Sequence, residues 1–117
     1  MELRELVQKM DELVAKGAIV EAVDVNFCDF AKTSDYGGTA TTTKAQMVEK
    51  MKSFTAGIVK INEITHHQTL LDGNVSASEF TFDFDMKDGS QIHWHEIIQR
   101  EWGQDGKVVK EEYFKAD

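Results

Sequence analysis

The sequence predicts an α+β domain in which three N-terminal helices pack on one face of a strongly curved antiparallel sheet. Two observations carry this reading. Apolar residues recur at spacings of three and four in three segments before Ile58 and at alternate positions thereafter, which are the periods of helix and strand. In the second half, "LDGN", "KDGS" and "GQDG" set Asp-Gly turn signals between long alternating runs, so consecutive strands of about 13 residues are expected. Strands of that length must curl to cover a small helical layer. At 117 residues the chain has the usual size of one domain, and residues 1–117 are read as one.

Leu3, Leu6, Val7, Met10, Leu13 and Val14 form one apolar stripe on a first helix that Gly17 can end. Ile19, Ala22, Val23 and Phe27 resume the same period, which predicts a second helix to about residue 27. In "CDFAKTSDYGGTATTT" the periodicity vanishes, and the stretch reads as a short strand or irregular loop. Thr43 and Gln46 have the spacing of a capping box for a third helix, whose buried face carries Met47, Met51, Phe54 and Ile58.

Hairpin geometry decides which residues face the helices. A two-residue turn at Asp88 and Gly89 sets Phe84 opposite His93 and mixes both faces. A three-residue turn with Gly89 in the left-handed position sets Phe84 opposite Ile92, Phe82 opposite Trp94, Phe80 opposite Glu96 and Ser78 opposite Ile98. Burying the three phenylalanines is worth ~2 kcal/mol each, which favours the second register. His93 and His95 then stand on the outer face, opposite Asp83 and Thr81, while Glu96 lies among apolar side chains. A carboxylate in that setting needs a partner or a raised pKa. The first hairpin stays open: one turn length brings His67 inward and a turn one residue longer brings His66. His67 is the preferred member.

The formal charge of −8 opposes binding to nucleic acid, which draws on clustered Lys and Arg. Cys28 stands alone, so an internal disulfide is excluded and a cytoplasmic setting fits. The N-terminal segment has charges every few residues, unlike a signal peptide or a membrane span. Cys28 beside Asp29 reads as a small buried thiol rather than a nucleophile. The His93-x-His95 spacing is a possible ligand geometry on a strand, but no third histidine follows it, and no metal or other cofactor is expected.

The order of these segments resembles the nuclear transport factor 2-like superfamily, especially its SnoaL-like members. It is carried by "GAIVEAVDVNF", "TTKAQMVEKMKSF", "VSASEFTFDF" and the closing "DGKVVKEEYF". The resemblance implies a cone-shaped, cystatin-like roll wrapped around a pocket, often dimeric through the outer sheet face. In the ketosteroid isomerase branch a general base lies eight residues after a phenylalanine at the end of the second helix; here Phe27 leads to Asp35. The tyrosine that branch carries on its first helix is absent, and its carboxylic acid position falls near Ile98, so steroid isomerase chemistry is not expected.

The expected function is binding of a small apolar or aromatic molecule. Phe54, Phe80, Phe82, Trp94, Ile98, Glu111 and Tyr113 would line the pocket, and Asp35, His67 and Glu96 would carry any proton transfer of the isomerase, cyclase or dehydratase type. The alternative is a non-catalytic scaffold that forms a homodimer through the outer face of the sheet.

Overall fold

The computed structural model describes residues 2–116. Its elements are α1 (Leu3–Ala15), α2 (Ile19–Asn26), β1 (Phe27–Asp35), β2 (Gly38–Thr41), α3 (Lys44–Ala56), β3 (Ile58–Asp72), β4 (Val75–Met86), β5 (Gln91–Trp102) and β6 (Val108–Lys115). Gly17, at φ 86°, ends α1: its amide donates to Val14 O, and the Ala18 amide donates to Leu13 O. This double bond pattern satisfies terminal carbonyls and turns the chain into α2. At the start of α3 the Gln46 amide donates to Thr43 Oγ1, and Gln46 Oε1 accepts from the Thr42 amide. The reciprocal cap reaches one residue further back than a capping box does.

The six strands form one open sheet in the order β2-β1-β6-β5-β4-β3. From β3 to β6 it is the expected antiparallel meander. The stretch between the second and third helices corrects the expectation of a short strand or loop and of a purely antiparallel sheet. It forms a hairpin, and β1 pairs in parallel with β6. Helix α1 packs against β3 near one edge and α3 against β1 and β2 at the other, with α2 between the two helices. No helix among the described residues is long and apolar enough to cross a membrane.

The β4–β5 hairpin has the register that puts one face wholly inside: Phe84 opposite Ile92, Phe82 opposite Trp94, Phe80 opposite Glu96 and Ser78 opposite Ile98. Gly89 has φ 88°, and Gly89 N donates to Met86 O, which is the left-handed bulge turn. Phe80, Phe82 and Phe84 pack in a row with centroid spacings of 5.5 and 5.8 Å, under Met10, Val14, Ala22, Val23 and Met47. The first hairpin turns at Gly73 and Asn74, with Asp72 opposite Val75, and β3 then shifts register three times along β4.

Candidate functional site

One shift in β3 falls between His66 and Gln68 and splits the adjacent histidines. His66 pairs with Phe80, stacks on its ring at 4.8 Å and reaches Thr69 Oγ1 at 2.6 Å, on the helix side. His67 goes to the outer face, where Nε2 lies 2.7 Å from Thr81 Oγ1. The preference for an inward His67 is therefore corrected: a bulge delivers an extra residue to one face, and alternation counted from the turn cannot anticipate it.

Between the helices and the inner face lies a cavity of about 230 Å³. Its apolar wall includes Met10, Val14, Val23, Met47, Met51, Phe54, Phe82, Phe84, Trp94 and Ile98, and its polar groups are Asp35, Tyr36, Lys50, Glu96, Arg100, Glu111 and Tyr113. Of the residues expected at the site, Phe54, Phe82, Trp94, Ile98, Asp35, Glu96, Glu111 and Tyr113 are brought together here. Phe80 is fully buried between His66 and Phe82 and forms no part of the wall. Phe54 stacks on Trp94 at 5.6 Å and meets Phe84 edge-on at 5.8 Å, which fixes the aromatic side of the cavity.

The inner end of the cavity is closed by an ion cluster in which Glu111 and Tyr113, expected as pocket lining, join Arg100 and Asp11. Arg100, fully buried, donates from Nε to Glu111 Oε2 at 2.8 Å and from Nη1 to Asp11 Oδ1 at 2.9 Å. Burial opposes the guanidinium charge, but attraction to Glu111 and Asp11 outweighs it and holds the pKa above its ordinary value. Asp11 also accepts from Thr69 and Ser78, and Glu111 accepts the Tyr113 hydroxyl at 2.5 Å. Burial, followed by the charge of Glu111 and its hydrogen bond, pushes the Tyr113 phenol well up. Every carboxylate oxygen of Asp11 and Glu111 thus has a hydrogen-bond donor.

The outer end is organised differently. Glu96 is 5% exposed, and its partner is the Tyr36 hydroxyl, which donates to Oε2. Burial raises the Glu96 pKa, the Tyr36 bond pulls it back, and the charges of Asp35 and Glu111 raise it again. Tyr36 and Gly37 are the two central residues of the β1–β2 turn, at φ 50° and 94°. A tyrosine in left-handed backbone is uncommon and costs of order 1–2 kcal/mol. That turn aims the phenol back across β6 at Glu96, and burial and the Glu96 contact raise its pKa too. Asp35, expected as a base, is held by Lys50 Nζ at 2.6 Å at the partly exposed rim. Sequence reasoning missed Tyr36, Lys50, Arg100 and Asp11. A signal existed for two of them: Arg100 follows Glu96 and Ile98 at period two, and Asp11 sits on the stripe of Val7 and Val14.

No protein-family model and no curated protein matches the chain. Solved structures do. A candidate SnoaL-like polyketide cyclase from Mesorhizobium loti superposes with a TM-score of 0.85 at 17% identity, covering 97% of this chain and 99% of that one. An uncharacterised cystatin-fold protein from Novosphingobium aromaticivorans gives 0.82 at 13% identity, covering 98% and 99%. A protein of ketosteroid isomerase-like fold from Catenulispora acidiphila, solved with trimethylamine, gives 0.74 at 13% identity, covering 94% and 84%. At such identities the likeness speaks for architecture alone. The chain shares the α+β, cystatin-type fold of these solved structures, among which are SnoaL-like and nuclear transport factor 2-like proteins.

Proposed function

We propose that the cavity binds a small, mainly apolar molecule and that Glu96 exchanges a proton with it. The observation that supports this most is a nearly buried carboxylate on the cavity wall whose hydrogen-bond partner is a phenol and not a cation. Burial raises its pKa above the ordinary carboxylate value, the direction that favours a carboxylate able to take up a proton and return it. The volume lies below the ~300–1,000 Å³ typical of sites for drug-sized ligands, so the ligand is a compact one.

In this reading the ligand lies against Phe54, Phe82 and Trp94, and ionised Glu96 removes a proton from it. The Tyr36 hydroxyl holds the carboxylate in place, and Lys50 at the rim offers positive charge to an anion that develops on the ligand. The scaffold alternative loses support because the space between helices and sheet is not filled by side chains.

The test is a thermal-shift screen with small aromatic and apolar metabolites, followed by turnover assays on the molecules that raise Tm. Glu96→Gln keeps shape and burial, so binding should persist while turnover falls by about 10²–10⁴-fold. Turnover unchanged in that variant would remove Glu96 from the chemistry, and a screen without a single shift would remove the pocket.

A further inference from the structure

The outer face of the sheet, opposite the cavity, carries a second constellation. The bulge in β3 turns both His67 and Gln68 toward this face, one after the other. They flank Glu79 of β4, which pairs with Gln68, while His95 of β5 stands opposite Thr81, two residues along β4 from Glu79. Three neighbouring strands thus present two imidazoles and one carboxylate, with ligand-capable atoms all within 4.8 Å of one another.

The contacts already resemble a ligand set with its supports. His95 Nε2 lies 2.6 Å from Glu79 Oε2, and the rings of His67 and His95 meet edge-on at 5.5 Å. Gln68 Nε2 donates to the other oxygen, Glu79 Oε1, at 3.0 Å, and Thr81 Oγ1 holds His67 Nε2 at 2.7 Å. An outer partner such as Gln68 orients a metal ligand.

We propose that His67, Glu79 and His95 form a binding site for a zinc-type divalent ion on the outer sheet face. Two nitrogens and one carboxylate oxygen are a zinc donor set that leaves a coordination position to water. Tetrahedral bonds of about 2.0–2.1 Å need ligand atoms ~3.3 Å apart, within reach of small rotations from the present spacing. The ion would replace the contact between His95 and Glu79 and draw His67 from Thr81. This site does not use the His93-x-His95 pair: His93 lies outside it, beside Asp83 at 3.3 Å.

The test titrates zinc into the whole chain against a chromophoric chelator at fixed neutral pH, with circular dichroism to verify folding. One zinc per chain is expected. His67→Ala, Glu79→Gln and His95→Ala should each weaken binding by at least about 10-fold, and Gln68→Ala by about 10-fold through its hold on Glu79. His93→Ala should bind like the parent. Cobalt(II) in the unaltered protein provides a readout free of folding effects: intense visible bands are expected from a four-coordinate site. Failure to take zinc from the chelator, equal losses in the His93 variant, or the weak bands of octahedral cobalt would each overturn the assignment.

Discussion

Glu111 and Glu96 reach the same cavity from neighbouring strands, at 1% and 5% exposure. Glu111 meets a guanidinium and a phenol, and the same guanidinium also holds Asp11 of α1, tying helix to sheet. Among the described residues, Glu96 meets the phenol of Tyr36 and no cation, and that phenol is carried by a turn in unfavourable backbone. Equal burial therefore has opposite meanings. A carboxylate matched by a cation is committed to holding the fold, whereas one held by a neutral donor keeps a proton equilibrium within reach of chemistry.

The contrast breaks most visibly at Arg100. Arg100→Met should cost about 3–5 kcal/mol in denaturant unfolding, because Asp11 and Glu111 would stay buried without their cation. A loss below about 1 kcal/mol would mean that the inner cluster is not the brace its geometry implies.

A smaller effect sharpens the other side. The Glu96 pKa is raised in the folded chain, so the folded state holds that proton more tightly than the unfolded one. Its stabilising contribution is complete below the ordinary carboxylate pKa and is lost as pH rises through the raised folded value. Glu96→Gln has no such proton to lose. The parent should therefore lose stability relative to this variant as pH rises above the ordinary carboxylate pKa of about 4, read as unfolding midpoints along a pH series. A flat difference would show that Glu96 carries no such proton in the folded chain.

The smallest effect belongs to the rim. Asp35 and Lys50 pair at 2.6 Å, but their side chains are 41% and 37% exposed. Asp35→Asn should change stability by at most about 1 kcal/mol, and by less in high salt. A larger loss would place this pair with the inner cluster instead.

Much of this arrangement was legible in the residues themselves. The Phe80, Phe82 and Phe84 row, the Gly89 turn and the burial of Glu96 follow from alternation plus one turn geometry, because a one-residue slip would expose the whole row. The inward His66 was not legible in the same way. Three register shifts in β3 accumulate between its turn and Ile58, and no residue pattern marks them.

By itself, then, the sequence determined the helices, the four-strand meander and which face of β4 and β5 is inside, since these depend on period and local turns. Only the tertiary structure decided that β1 lies parallel to β6, that Tyr36 reaches Glu96 across 60 positions and that Arg100 meets Asp11 across 89. Contacts over such separations depend on how bulges and strand order bring distant segments together. Neither leaves a periodic trace in the chain.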